Sequence, residues 1–443
     1  MLKRVCCFWL FFALAASAKP PNVVFFLVDD LGWTDLSCTG SSFYETPHID
    51  RLRAEGMKFS AAYTSSGVCS PTRSSIITGQ TPARNGCTNY GGRVRGTETG
   101  WPAVLRDAGY RTLFTGKWHI GGMTSEEAGF GVSKPFPTRG PAEDPKNTRA
   151  ITRATVDFIK ASDGRPFVAY VNYHAVHLRL AERADIVDKY RKKLAARPKP
   201  EGPAFAPEHN RQNKLIQDDP NYAAMMEVLD DSVRDILATV RSIGAEQNTM
   251  VIFYSDNGGL STKPCTSNLP LRAGKGWYYE GGIRVPLIVK WPGRVKAGST
   301  CDVPVIAMDF FPTLLEAAGL PLRPKDHVDG ISLAGLLQEG AAPERDTFYW
   351  HYPHHHGAGC TPCGMVRKGD YKLIRYYKDE RIELYHLKDD LSEKNNLAKQ
   401  MPEKREALLA LLGAWQKSMP GFTFGRDSKP PGQNKKKKKR LRK

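Results

Sequence analysis

The stretch Asn22-Val23-Val24-Phe25-Phe26-Leu27-Val28-Asp29-Asp30 decides the fold class of this chain. A continuous apolar run of β-branched and aromatic residues is typical of a strand that is buried on both faces of a parallel sheet. Two adjacent carboxylates directly after such a strand are costly to bury unless positive charge compensates them. A hard divalent cation is one natural partner, because oxygen ligands suit calcium and magnesium. A solvated turn is the alternative.

Four further apolar runs have the same character, at residues 110–115, 166–173, 249–254 and 286–292. The first three are followed by polar side chains: Lys117 and His119, His174 and His177, and Asp256 and Asn257. In open α/β sheets, ligands bind in the crevice outside the carboxyl ends of the strands. We therefore expect these segments and Asp29-Asp30 to converge on one crevice. Lys275, between two glycines, is expected on a flexible loop, where it either reaches an anion or is an ordinary loop lysine.

The 443-residue chain is long enough for one large α/β domain and a smaller one. Over residues 19–342 we predict a large, mostly parallel mixed sheet flanked by helices. Over residues 343–425 we predict a smaller antiparallel sheet, with a hairpin at 365–377 and a closing helix at 403–417. Residues 180–221 lack clear periodicity and are interpreted as a long excursion over the mouth of the site.

The first 18 residues have the pattern of a secretory signal peptide, with Lys3-Arg4, an apolar run and a small-residue end. The run is too short to span a bilayer comfortably, so we expect no stable membrane insertion. We expect an exported protein, periplasmic or extracellular. Residues 426–443 are predicted to be a disordered basic tail, and binding to an anionic polysaccharide is the sharper alternative.

The net charge of +18 is unevenly distributed. Residues 435–443 carry eight positive charges and Lys3 and Arg4 carry two more, which leaves +8 on the body of the chain. A moderately basic body suits an anionic substrate. We expect no nucleic-acid partner.

The cysteines and histidines outside the strand ends allow several interpretations. After the leader, six cysteines besides Cys69 remain, which permits disulfides without fixing their pairing. Cys360 and Cys363 are expected to form a local disulfide or two free thiols rather than a zinc site. The cluster His351, His354, His355 and His356 is expected to be a substrate-facing rim or a polar loop rather than a metal site.

The segment from Cys69 to Gly79 is predicted to be a turn that runs into a short helix. Pro71 suits the first helical position, and Gly79 suits the residue just past the end. Cys69 would lie at the helix N-terminus, where free N–H groups and the macrodipole favour negative charge. Arg73 lies four residues further on, so one helical turn brings it near Cys69. A buried, inert cysteine is the alternative.

The pattern Cys69-x-Pro71-x-Arg73 followed by Ser74-x-x-x-Thr78-Gly79 resembles the signature of type I sulfatases, which are formylglycine-dependent and arylsulfatase-like. Gly116-Lys117-Trp118-His119 and the region from Glu383 to Leu397 resemble the same family, and the resemblance covers most of residues 22–420. It implies a member of the alkaline phosphatase superfamily that hydrolyses sulfate esters. We expect the substrate to be a sulfated carbohydrate.

The resemblance also implies a role for each site residue. Cys69 would be converted to formylglycine by a formylglycine-generating enzyme, and the aldehyde hydrate would be the nucleophile. A calcium ion, with magnesium as an alternative, would be held by Asp29, Asp30, Asp256, Asn257 and residue 69. Arg73 would orient residue 69, and Lys117 and Lys275 would draw charge from the sulfate. His177 or Lys275 would assist the leaving group. His119 would be the final proton acceptor.

The histidine assignment keeps an alternative. His177 falls where the family has a His-x-Pro-His type histidine, but Val176 stands in place of the proline, so His174 remains a candidate. Two rival functions also remain. One is a phosphate or phosphonate monoester hydrolase of the same superfamily, and the other is a non-catalytic polyanion-binding protein.

Overall fold

The predicted strand at residues 22–28 lies in the middle of a nine-stranded sheet in the computed structural model of the chain. The structure describes residues 19–96, 99–262 and 265–424. The predicted signal peptide at 1–18 and the basic tail at 426–443 lie outside the described residues. Among the helices that are described, none is long and apolar enough to cross a bilayer.

Strands and helices alternate along most of the chain. The strands are β1 (Asn22–Val28), β2 (Met57–Tyr63), β3 (Arg111–Gly116), β4 (Val132–Pro135), β5 (Phe167–Asn172), β6 (Phe205–Glu208), β7 (Arg211–Lys214), β8 (Thr249–Ser255), β9 (Arg284–Lys290), β10 (Ser299–Cys301), β11 (Val305–Ile306), β12 (Thr347–Tyr352), β13 (Cys363–Lys368), β14 (Tyr371–Tyr376) and β15 (Ile382–His386). The α-helices are α1 (Pro47–Glu55), α2 (Cys69–Thr78), α3 (Pro82–Asn85), α4 (Trp101–Asp107), α5 (Thr148–Lys160), α6 (Ala184–Ala195), α7 (Pro220–Ser242), α8 (Glu280–Ile283), α9 (Phe310–Ala317), α10 (Ala334–Glu339) and α11 (Pro402–Ser418).

The large sheet has the order β10-β2-β9-β8-β1-β5-β3-β4, with β11 beside β2. Strand β1 pairs in parallel with β5 and β8, so that Val24 lies opposite Ala169 on one side and Val251 on the other. Strand β9 is the exception, because it pairs antiparallel with both β2 and β8. The prediction of a mostly parallel mixed sheet is therefore confirmed.

The two faces of β1 supply two separate hydrophobic cores. Val23, Phe25 and Leu27 pack on the face covered by α2, α4, α9 and α10. Val24, Phe26 and Val28 pack on the opposite face, which is covered by α1, α5, α6 and α7. Because successive side chains point to opposite faces of a strand, a strand covered on both sides is apolar throughout.

Helix α2 begins at Cys69 and is buried along its whole length. It ends at Gly79, whose φ of 66° lies in the left-handed region, and an added Cβ there would come within 2.4 Å of His327 Cβ. Glycine is therefore required at this position for both conformation and space. The predicted end of the helix is confirmed, whereas Pro71 is its third residue rather than its first.

The interpretation of residues 180–221 as an irregular excursion is wrong in part. Helix α6 and the hairpin of β6 and β7 lie in this region. Val187, Tyr190 and Leu194 form the stripe of α6 that packs with α7, at the spacing expected of a helix. Numerous Lys, Arg and Asp residues on the exposed face conceal this stripe in the sequence.

The C-terminal part forms the predicted small antiparallel sheet, in the order β12-β13-β14-β15. Helix α11 packs on it through Leu408 and Leu412, which join Val366, Leu373 and Leu384 in one core. Strand β12 was not among the predicted strands. No disulfide joins the cysteines that the structure describes, and the sulfur atoms of Cys360 and Cys363 are 3.9 Å apart.

A buried ion-pair network joins the small sheet to the large domain. Lys372 on β14 lies 2.9 Å from Glu280 and 2.8 Å from Glu393, and all three side chains are essentially buried. Burial alone would raise the pKa of Glu280, but the charges of Lys372, Arg284 and Arg367 outweigh it and lower the pKa to about 2. Lys372 is therefore the cation that both carboxylates share, and Glu280 also pairs with Arg284 at 3.2 Å.

We expect Lys372→Met to reduce the free energy of unfolding by about 3–5 kcal/mol, because it leaves Glu280 and Glu393 buried without their shared partner. The matched control is Lys368→Met, which removes an exposed pair with Asp346 and should cost no more than about 1 kcal/mol. Chemical denaturation followed by circular dichroism measures both. Equal effects for the two variants would contradict a structural role for the network.

Candidate active site

Four adjacent strands bring the predicted site residues to one edge of the sheet. Strands β8, β1, β5 and β3 are neighbours and all parallel. Their carboxyl ends therefore meet, and the polar segments that follow them lie side by side. The site residues that come together there are Asp29, Asp30, Cys69, Arg73, Lys117, His119, His177, Asp256, Asn257 and Lys275.

Arg73 connects the cysteine-bearing helix to three of these strand ends. Its Nε donates to Oδ2 of Asp256 at 2.8 Å, and its Nη2 lies 2.8 Å from the same oxygen as part of the ion pair. Its Nη1 donates to the carbonyl oxygen of Lys117 at 2.7 Å and to Oδ1 of Asn172 at 3.0 Å. The guanidinium thus has ionic and neutral acceptors around it, as a fully buried charge requires.

Two buried lysines lie between the carboxylates and Cys69. Lys117 pairs with Asp29, and Lys275 donates to Oδ1 of Asp30 at 2.6 Å. The Nζ of Lys275 is also 3.6 Å from the sulfur of Cys69. Burial alone would lower the pKa of Lys275, but the nearby negative charges outweigh it and raise the pKa above its usual value. Both ammonium groups are therefore positively charged next to the residue-69 side chain.

Three buried oxygens at this edge have no hydrogen-bond partner: Oδ1 of Asp29, Oδ2 of Asp30 and Oδ1 of Asn257. The Asp29, Cys69 and Asp256 side chains each offer a ligand atom within 4.8 Å of the other two. Unpaired buried oxygens are unfavourable unless something positive binds them. Carboxylate and amide oxygens are the ligands that calcium and magnesium prefer, so this donor set fits such an ion.

The Cys69 thiol is a poor nucleophile in this environment. Burial raises its pKa, and the opposing charges of Lys117 and Lys275 do not overcome that effect. The thiol is therefore protonated at neutral pH, and the thiolate is the reactive form of cysteine. Position at a helix N-terminus alone does not activate it.

His119 has a neutral imidazole whose Nδ1 is buried without a partner. Burial, together with the charges of Lys117 and Arg73, lowers its pKa to about 3. A neutral imidazole with a free nitrogen can accept a proton.

The two candidate histidines after β5 point in different directions. Nε2 of His174 contacts the carbonyl oxygen of Phe136 at 2.9 Å, outside the carboxylate cluster. His177 places its Nε2 3.9 Å from Oδ2 of Asp30, and its Nδ1 contacts the carbonyl oxygen of Leu178. The geometry therefore puts His177, and not His174, at the charged cluster.

Asn172 is a site residue that the sequence reasoning missed. It is the last residue of β5 and accepts a hydrogen bond from Arg73. A polar residue at the end of an apolar run was the available signal, since the same pattern marks the other strand ends. The histidine cluster has no metal-site geometry among the described residues: His354 contacts Thr88, and His351 contacts Tyr377.

Comparison with known proteins assigns the chain to a family. A family model described as Sulfatase matches residues 21–320. The chain belongs to the sulfatase family. A second model, described as N-sulphoglucosamine sulphohydrolase, C-terminal, matches residues 273–413 of this sulfatase. The predicted membership is therefore confirmed.

Two relatives extend the similarity over most of the sulfatase. A Formosa agariphila protein named Sulfatase is 32% identical and covers 90% of this chain and 89% of its own length. The N-acetylgalactosamine-6-sulfatase of Mus musculus is 32% identical, over 76% of this chain and 70% of its own. This sulfatase is thus a sulfuric ester hydrolase.

Solved structures share the fold. One protein in complex with its substrate D-glucosamine-2-N,6-O-disulfate matches with a TM-score of 0.75 and 23% identity, over 90% of this chain and 98% of its own. A phosphonate monoester hydrolase of Agrobacterium radiobacter matches with a TM-score of 0.73 and 19% identity, over 90% and 96%. At these identities the likeness establishes the fold alone.

We expect NMR titration to find the His119 and His174 imidazoles still neutral at about pH 5. Burial lowers their pKa values to about 3 and about 4, so each takes up a proton only below that pH. His119→Gln and His174→Gln variants assign the two signals, and His48, 36% exposed, is the reference for an accessible imidazole. Protonation of His119 above about pH 6 would contradict its burial next to Lys117.

Proposed function

We propose that this sulfatase removes sulfate esters from sulfated carbohydrates. Arg73, Lys117 and Lys275 are buried around Cys69, each beside a carboxylate, and these fixed cations next to residue 69 carry the proposal. A sulfate ester is an anion whose charge shifts during cleavage, and fixed cations in a water-poor site stabilise that shift. The carbohydrate class is supported by relatives named for N-acetylgalactosamine 6-sulfate and N-acetylglucosamine 6-O-sulfate.

Cys69 is, in this proposal, the precursor of formylglycine, produced by a formylglycine-generating enzyme. The hydrated aldehyde supplies the oxygen that attacks sulfur. The protonated state of the buried thiol supports a need for conversion, because an unmodified Cys69 is a weak nucleophile. Arg73 positions the helix turn that carries residue 69, through its contacts with Asp256 and Asn172.

Asp29, Asp30, Asp256 and Asn257 hold a calcium ion in this proposal, with magnesium as the alternative. The bound ion supplies Lewis-acid polarisation of the sulfate oxygens. The three carboxylates balance the three cations of the site, so a divalent ion gives the cluster a surplus of positive charge that attracts an anionic ester. With Asp29 and Asp30 holding such an ion, the ammonium groups of Lys117 and Lys275 would be available to bind the substrate.

The remaining roles fall to three side chains, of which only His119 takes up a proton. Lys275 lies beside residue 69 and stabilises negative charge on the leaving oxygen. Burial lowers the pKa of His177, so its imidazole is largely neutral at pH 7 and is not the proton donor to the leaving group, although its Nε2 lies 3.9 Å from Oδ2 of Asp30. His119 accepts the proton of residue 69 at its free buried nitrogen.

Export completes the proposal and rests on the leader-like pattern of residues 1–18. Mass determination of the mature N-terminus from a secreting host tests it. A mature chain that begins near residue 19 is expected, and retention of Met1 would contradict export.

Release of inorganic sulfate tests the enzymatic proposal. The enzyme is coexpressed with a formylglycine-generating enzyme and given N-acetylgalactosamine 6-sulfate, N-acetylglucosamine 6-sulfate, and matched phosphate and phosphonate monoesters. We expect a residue-69 peptide with the mass of the aldehyde or hydrate and a preference for the sulfates. We expect Cys69→Ala to lower kcat by at least about 10³-fold, whereas Cys301→Ala, at the far end of the sheet, retains activity.

Three results would count against this assignment. Faster cleavage of phosphonates than of sulfates favours the phosphonate hydrolase. An unmodified thiol at residue 69, in folded protein and under conditions that convert a control sulfatase, removes the nucleophile. If the Cys69→Ala variant keeps the full biological effect of the protein, the result favours the non-catalytic polyanion-binding function.

Metal binding is tested without substrate. We expect calcium to raise the melting temperature of chelator-treated protein, because a ligand that binds only the folded state stabilises it. Asn257→Leu removes an unpaired buried oxygen and should weaken the calcium affinity by about 10–100-fold. The exposed Asn395→Leu is the matched control and should keep the full shift. An identical shift in both variants would exclude Asn257 as a ligand.

A further inference from the structure

A pocket with three cationic side chains in its lining adjoins the catalytic cluster. It has a volume of about 390 Å³ and lies between the loop before α5 and the segment after His177. This volume is in the range of small-ligand sites. Its lining residues are Thr138, Arg139, Gly140, Pro145, Lys146, Leu178, Arg179 and Ala181. None of these described lining residues is acidic.

Lys146 connects this pocket to the catalytic residues. Its side chain is almost fully buried, and Nζ donates to the carbonyl oxygen of His177 at 2.7 Å. His177 in turn has its Nε2 3.9 Å from Asp30. Only His177 therefore separates Lys146 from the carboxylate cluster, on the side where β5 ends.

The cations of this pocket have no carboxylate partner. Among the described residues, no carboxylate oxygen lies within 4.0 Å of the charged groups of Arg139, Lys146 or Arg179. The neighbouring acids are already engaged, since Arg149 pairs with Glu182 at 2.9 Å and with Asp144 at 3.8 Å. The pocket thus carries three positive charges that have no carboxylate in ion-pair contact among the described residues.

Burying Lys146 in this position is unfavourable without an anion. Burial lowers its pKa to about 8. The carboxylates of Asp29 and Asp30 oppose that shift, whereas the charge of Arg139 adds to it. A negative group bound between the cations would remove this repulsion, and arginine side chains bind sulfate or carboxylate through paired hydrogen bonds.

We propose that this pocket binds a second anionic group, a sulfate or a carboxylate, on the same saccharide whose sulfate ester is cleaved. This inference rests on the proposed function, because the saccharide must enter the adjoining site. The chain then prefers carbohydrates that carry at least two negative groups over those with a single sulfate. Arg139, Lys146 and Arg179 are specificity residues in this arrangement.

Calorimetric binding to full-length Cys69→Ala protein tests the pocket separately from catalysis. The probes are glucosamine 6-sulfate, glucosamine 2-N,6-O-disulfate, and a disaccharide of glucosamine 6-sulfate with a uronic acid. We expect at least one of the two-anion probes to bind about 10-fold more tightly than the monosulfate. Whichever two-anion probe binds more tightly distinguishes a second sulfate from a carboxylate.

Adding Arg139→Gln and Arg179→Gln should abolish this preference, because it removes two of the three cations of the pocket. Both side chains are exposed, so their exchange does not disturb the core. The control pair, Arg106→Gln and Arg165→Gln, removes the same charge near the amino ends of β3 and β5 and should keep the preference. The inference would be overturned if all three probes bind the Cys69→Ala parent equally, or if none of them binds. An undiminished preference in the pocket variant would also overturn it.

The pocket and the proposed function can fail separately. Suppose that the enzyme that keeps Cys69 releases no sulfate, while the Cys69→Ala protein shows the preference and the pocket variant loses it. In that case the pocket stands and the proposed reaction falls. If the enzyme that keeps Cys69 releases sulfate, and its kcat/KM values for one-anion and two-anion probes are equal both with and without Arg139→Gln and Arg179→Gln, the reaction stands and the pocket falls.

Discussion

The buried Arg73–Asp256 ion pair is the constraint on which the site depends. The guanidinium is 1% exposed, so its positive charge needs carboxylate and carbonyl acceptors inside the protein. The acceptors come from the segments after β8 and β3 and from the end of β5. Helix α2 can satisfy Arg73 only when it lies against these strand ends. Because Cys69 begins the same helix, the ion pair also fixes where residue 69 meets the carboxylates.

The small C-terminal sheet supports the same edge from the other side. Lys372 of β14 is buried between Glu280 and Glu393. Of these two glutamates, Glu280 is close in sequence to the loop that carries Lys275. The indole nitrogen of Trp277, two residues after Lys275, donates to the carbonyl oxygen of Ala358 at 3.1 Å. The second subdomain therefore positions Lys275 beside Cys69, and its packing is part of the active-site geometry.

Strands covered on both faces were the easiest elements to predict. The run at 22–28 is apolar throughout because its alternate side chains enter two different cores. Asp29, Lys117 and Asp256 stood out because polar residues follow such runs directly. Helix α6 escaped prediction because its narrow buried stripe lies among many charged residues. Lys146 escaped because nothing in a loop rich in Gly and Pro marks one lysine as buried.

The sequence by itself determined the buried strands of the central sheet, the polar residues at their ends and the cysteine-bearing helix, since burial and turn formation leave local patterns. Only the tertiary structure decided that β9 runs antiparallel, that His177 faces Asp30 while His174 turns to Phe136, and that Lys146 lies behind His177. These outcomes depend on which distant segments become neighbours. Residues such as Arg73 and Asp256 lie 183 positions apart, and no local pattern encodes their contact.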